Sequence, residues 1–176
     1  MKRLPYAERV IAVALLDLSG MVHAQQTEVV QLLASDGSSG DFFGHSVSIG
    51  GPAGAEIAIV GAHYDDDTSL FAGSVYIYNR NGDFWIQSQK LIASDGEASD
   101  LFGFSVSVSG SLGNEVAIIG SVFDDDNGNS SGSAYIFRKS GGLWIQEQKL
   151  LASDGDAFDN FGYSVSINED LAIVGA

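Results

Sequence analysis

The chain has 176 residues with 23 acidic and 8 basic side chains, a formal charge of −15 at pH 7. So acidic a surface repels phosphate backbones and anionic lipid, which excludes nucleic acid as a partner and leaves cations or basic groups as the natural complement. There is no cysteine, hence neither a disulfide framework nor a thiolate metal site.

Residues 1–24 read as a secretory signal. Lys2, Arg3 and Arg9 give a basic start, an apolar run begins at Val10, and Val22-His23-Ala24 sets small residues before a cut ahead of Gln25. Asp17 breaks the run, which falls well short of the ~20 apolar residues of a membrane span, so no membrane insertion is expected. The rival reading is an unprocessed extension. The remaining residues, 25–176, carry a repeat.

Leu33-Ala34-Ser35-Asp36-Gly37 with Phe43-Gly44-His45-Ser46-Val47-Ser48-Ile49 returns as Ile92-Ala93-Ser94-Asp95-Gly96 with Phe102-Gly103-Phe104-Ser105-Val106-Ser107-Val108. It returns again as Leu151-Ala152-Ser153-Asp154-Gly155 with Phe161-Gly162-Tyr163-Ser164-Val165-Ser166-Ile167, each time 59 residues on. Such a period marks an array of similar units, none able to bury its apolar surface alone. Residues 43–93 make a first complete unit, 102–152 a second and 161–176 a truncated third.

Each unit holds four apolar segments separated by turn residues, without a sustained helical period, so the chain is expected to be all-β. In residues 43–49, Phe43, His45, Val47 and Ile49 share one face while Gly44, Ser46 and Ser48 share the other, as in a strand crowded on its small-residue side. Ile57-Ala58-Ile59-Val60-Gly61-Ala62, repeated at 116–121 and 171–176, is apolar on both faces and must lie between two layers. Residues 75–78 set aliphatic side chains against aromatic ones, and Asn81-Gly82 then signals a hairpin. Residues 85–91 mix Trp85 and Ile86 with Gln87, Gln89 and Lys90, the composition of an outer edge. Polarity greatest in the fourth strand is the pattern of a propeller blade.

Phe-Gly before an alternating strand, then a strand closing in Val-Gly-Ala, with Leu-Ala-Ser-Asp-Gly and Gly-Ser-Ala-Tyr-Ile-Phe in register, resembles the FG-GAP repeats of integrin alpha-subunit propellers, most closely the bacterial type. The resemblance spans residues 29–176. It implies a β-propeller of four-stranded blades, usually seven, in secreted or cell-surface proteins that bind partners, a protein or carbohydrate ligand, rather than catalyse reactions. The chain supplies two complete blades plus flanking strands, a partial β-propeller, so further blades are expected from a longer chain or from self-association. Two departures stand out. Gly61-Ala62-His63 and Gly120-Ser121-Val122 lack the family's closing proline, and the loops at 50–54, 110–113 and 168–170 lack the alternating carboxylates of the integrin calcium loop.

Acidic clusters instead follow the second strand, at Asp65-Asp66-Asp67 and at Asp124-Asp125-Asp126-Asn127-Gly128-Asn129-Ser130. Calcium takes six to eight oxygens from just such donors, so Asp65, Asp66, Asp67, Asp124, Asp125, Asp126, Asn127 and Asn129 are the candidate metal ligands and calcium the candidate cofactor. Ser130 stands where the familiar calcium-loop spacing needs glycine. The alternative is a set of solvated turn carboxylates. Asp36 with Asp41, Asp95 with Asp100 and Asp154 with Asp159 recur in every copy and are read as turn-closing residues, since a catalytic group is needed once per molecule. By that logic a catalytic residue would break the repeat. His45 aligns with Phe104 and Tyr163 and is read as aromatic packing; His63 aligns with Val122 on a loop. No nucleophile elbow or phosphate loop is present, and the chain is expected not to be an enzyme, with a propeller-type enzyme and a ligand-free structural array as lesser alternatives.

Overall fold

The computed structural model describes residues 10–11 and 30–176. Among these lie twelve strands and no helix, as the all-β reading expects. β1 (Val10–Ile11) pairs antiparallel with β2 (Gln31–Leu32); apart from these two residues of β1, the leader reading falls outside the described residues. β3 (Ser46–Gly50), β4 (Ile57–Ala62), β5 (Ser74–Asn81) and β6 (Phe84–Leu91) form an antiparallel meander in chain order. β7 (Phe102–Ser109), β8 (Val116–Ser121), β9 (Ser133–Ser140) and β10 (Leu143–Leu150) form a second, and β11 (Ser164–Asn168) pairs with β12 (Leu171–Gly175).

First strands of successive sheets lie side by side, β3 against β7 and β7 against β11, whereas the fourth strands β6 and β10 touch only slightly. Sheets that converge on their first strands and fan apart toward their fourth are blades, so the molecule is a partial β-propeller. Every residue of β4 and β8 is buried, because both faces of these apolar strands are covered. On one side Ile57, Ile59, Val75 and Ile77 meet Val106, Val108, Ile119 and Tyr135 of the next blade in a shared core. On the other, Ala58, Val60, Tyr76 and Tyr78 pack with Leu32 and Phe43. The aliphatic and aromatic faces of β5 thus belong to two different cores. The first hairpin lies one residue later than Asn81-Gly82 suggests: Asn81 pairs with Phe84, which leaves Gly82 and Asp83 as the turn. Gly82 has φ 62°, the positive φ this turn needs at its first central position.

The paired motifs have a geometric reason. Ser46 Oγ donates to the Gly103 carbonyl at 2.7 Å and Ser105 Oγ to that of Gly162 at 2.7 Å, while Ser48 Oγ accepts from Val108 N–H at 3.1 Å. Gly61 faces the same Gly103 carbonyl so closely that a Cβ there would overlap it. Gly103 itself has φ 90°, a conformation costly for any side chain. The glycine of Val-Gly-Ala in one blade and that of Phe-Gly in the next are therefore two sides of one seam. Both flanks of the array keep apolar side chains in solvent: Val47 is 59% exposed where its counterpart Val106 is 8%, and Leu171 is 76% exposed where Ile57 is 1%.

Candidate functional site

Asp65 and Asp124 sit on the turns after β4 and β8 and are 3% and 2% exposed, whereas Asp66, Asp67, Asp125, Asp126, Asn127 and Asn129 are exposed. Only the first carboxylate of each cluster is thus buried. Asp65 Oδ2 accepts from Ser74 Oγ at 2.7 Å and Tyr76 OH at 2.8 Å, and Oδ1 accepts from Asp67 N–H at 3.1 Å. Lys90 Nζ, reaching in from β6, lies 2.8 Å from Asp65, 2.6 Å from Asp67 and 3.1 Å from Asp36. In the second blade Lys149 Nζ lies 2.7, 2.6 and 2.9 Å from Asp124, Asp126 and Asp95, and Ser133 and Tyr135 donate to Asp124.

Burial works to raise the pKa of Asp65 and Asp124, but the lysine, hydroxyl and backbone donors outweigh it and hold both below the usual carboxylate range. Each network ties three parts of a blade together: the entering loop, the turn after the second strand, and the outer strand. Lys90 and Lys149 are the residues that sequence reasoning misses. Their signal is the repeated Gln-Lys-Leu, readable only as an outer edge until the fold turns the lysine inward.

Of the repeated acidic pairs, one member behaves as expected. Asp41, Asp100 and Asp159 accept from the N–H of Ser38, Glu97 and Asp156 at 2.6, 2.7 and 2.8 Å and close those turns. Asp36 and Asp95 instead accept from Tyr76 and Tyr135 hydroxyls at 2.8 and 3.0 Å and join the lysine networks.

Residues that break the repeat gather elsewhere. His45 precedes β3 and His63 follows β4, and the pairing of Ser46 with Gly61 brings them to adjoining strand ends. Their ring centres are 4.0 Å apart. Phe104 stacks on His45 at 4.8 Å and Tyr163 on Phe104 at 5.2 Å, one ring per blade, so the packing role read for His45 is observed. Tyr64 lies 4.3 Å from His63, and Phe42 and Phe71 lie 5.0 and 4.9 Å from Tyr64. His63, although on a turn, is buried, and its Nδ1 has no hydrogen-bond partner. Burial, with His45 adding to it, lowers its pKa to about 4. Phe42 and Phe71 have φ of 56° and 55°, a left-handed conformation that is an outlier for bulky residues. The equivalent positions hold Leu101 and Ser130, with φ of 59° and 50°, so this backbone conformation belongs to the blade and the rings alone are particular to the first.

Among the described residues no group of three or more His, Asp or Glu side chains is placed to hold a metal ion. Beside the second acidic cluster a hollow of about 200 Å³ is lined by Glu97, Ser99, Asp100, Asp125, Asn129 and Ser130. No helix among the described residues is long and apolar enough to cross a membrane. A family model described as the FG-GAP repeat matches residues 26–78, 85–137 and 144–176. No curated protein matches the chain.

Proposed function

The chain belongs to the FG-GAP repeat family, and from that premise we propose that it is a non-catalytic binding module, secreted or displayed at a cell surface, whose ligand contacts lie on the loops at one end of its blades. The observation that carries this reading is the aromatic group of the first blade. What repeats is consumed by the fold: serines and glycines hold the seams, and lysines and aspartates lock the loops. Phe42 and Phe71, which give way to Leu101 and Ser130 in the second blade, serve no such repeated purpose. Phe42 and Phe71 remain exposed at turn positions whose positive φ Leu101 and Ser130 share, so the rings and not the backbone set the first blade apart. Aromatic rings beside carboxylates suit a protein or carbohydrate ligand that offers both an apolar face and hydrogen-bonding groups. The repeat provides its own control. A variant with Phe42→Leu and Phe71→Ser takes the residues of the second copy, and its melting should match the parent. Screened by NMR against an oligosaccharide and peptide panel, the parent should show shifts at these rings that the variant loses; equal binding by both would refute the assignment.

The exposed flanks at Val47 and Leu171 support a module that works within a larger ring, each such side chain gaining about 1.5–3 kcal/mol when covered. The extra blades come from a longer chain or from self-association. Light scattering on residues 25–176 tests this: a soluble, monodisperse monomer with no tendency to associate would count against it. Secretion rests on residues 1–24, and N-terminal sequencing of the exported protein should begin at Gln25.

Calcium is a second reading, favoured by the hollow at Asp125 and Asn129. Calorimetry on the full chain decides it, since binding that is lost with Asp125→Asn supports the site and an absence of heat removes it.

A further inference from the structure

We propose that His45 and His63 form a two-imidazole site for a late first-row divalent ion, Cu(II) or Ni(II), at the loop end of the first blade. The scaffold does not require imidazole at either place, because the next blade has Phe104 and Val122 there. Two histidines 18 positions apart are brought together only by the register of β3 and β4, in which Ser46 faces Gly61. His63 is 5% exposed and its Nδ1 lacks a partner, a loss that folding does not recover from protein contacts. His45 is exposed, so the pair can be reached from solvent.

The ring geometry selects the metal. With a metal–nitrogen bond of about 2.1 Å, an ion lies roughly 3.2 Å from the centre of each ring that ligates it. Where a nitrogen of each ring is turned to a shared ion, ring centres 4.0 Å apart subtend an angle of about 80° at it. That is a cis pair of a square or octahedral ion, not the wider angle of tetrahedral zinc. Imidazole donors also disfavour calcium and magnesium, which take oxygen. Phe42 and Phe104 stand 5.6 Å from His63, and Tyr64 closes a third side at 4.3 Å, so the site is walled by rings. No third imidazole or carboxylate joins the pair among the described residues, so water would fill the remaining positions and binding would be weaker than at a site with three or four protein ligands.

The inference concerns part of the surface assigned above to ligand binding, but it has its own readout. Electron paramagnetic resonance of the full chain with one equivalent of Cu(II), and calorimetry with Ni(II), should report two equatorial imidazole nitrogens and one site. His45→Phe and His63→Val, each carrying the residue of the second blade, should weaken that site at least tenfold, while His23→Ala should not. Coordination by oxygen alone, coordination by a single imidazole, or affinity unchanged in both variants would overturn the proposal. The parent spectrum decides the question even if a variant fails to fold. None of these outcomes depends on the oligosaccharide and peptide screen, so the two readings stand or fall separately.

Discussion

Replacing Lys149 by methionine keeps the length and most of the apolar stem of the side chain while removing one ammonium from a group of three carboxylates. Asp124, 2.7 Å from that ammonium, is buried; Asp95 and Asp126 are partly exposed and can turn to water. Breaking a buried pair from one side costs about 3–5 kcal/mol. Asp124 keeps Ser133, Tyr135 and the Asp126 N–H as donors, so the expected loss lies below that range, about 2–3 kcal/mol near neutral pH, or roughly 5–10 °C in Tm for a chain of this length. The pH dependence gives the sharper signature. In the parent, Asp124 titrates below its ordinary 3.8, so its contribution is complete above that value and disappears as pH falls through the lower folded value. In Lys149→Met, burial acts with less opposition and raises the pKa, so the carboxylate is a burden at neutral pH that protonation relieves. The gap between the two proteins must therefore narrow on acidification. Urea unfolding at pH 7 and at pH 3 measures it, with Asp124→Asn in the Lys149→Met background expected to regain part of the loss. A gap of the same size at both pH values, or one below about 0.5 kcal/mol at pH 7, would refute the claim that the lysine compensates a buried charge.

The seam between blades predicts that Gly120→Ala, whose Cβ would overlap the Gly162 carbonyl and Ser105 Oγ, destabilises by about 1–3 kcal/mol or more, whereas Gly54→Ala, in open space, costs only the roughly 1 kcal/mol of its positive φ; thermal melts of both check the contrast. His63, with its pKa lowered to about 4 from 6.5, contributes stability that is complete above pH 6.5 and is lost as pH falls through about 4. His63→Val should then flatten the fall in Tm between pH 6.5 and 4 without lowering Tm at pH 7, and an unchanged profile would show that His63 is not held neutral. Tyr76→Phe removes a hydroxyl whose single proton is shared between Asp36 and Asp65 and should cost about 1–2 kcal/mol in urea unfolding.

Much of the fold was legible because period and alternation are local properties: a strand apolar on both faces must be covered twice, and β4 and β8 are. The Ser46 and Ser48 face was readable as crowded for the same reason, and Gly103 and Val108 now supply the crowding atoms. What could not be read depends on pairing between distant segments. Lys90 looks like an ordinary edge lysine in Trp85-Ile86-Gln87-Ser88-Gln89-Lys90, and only the placement of β6 beside the turn at Asp65 and the loop at Asp36 turns its ammonium inward. An aspartate run that must satisfy a bound cation and one that must satisfy a lysine are the same letters, because both need carboxylate oxygens converging on one positive charge. The aligned repeat separated them only in part. It marked Asp65 and Asp124 as belonging to both complete blades, which is how a structural charge behaves, but it could not name the partner. It also set His45 and His63 apart as exceptions without bringing them together, since their contact depends on the register of two strands and not on their spacing in the chain. Repetition therefore divides residues by the kind of work they do, and the third dimension is needed to say with which neighbour they do it.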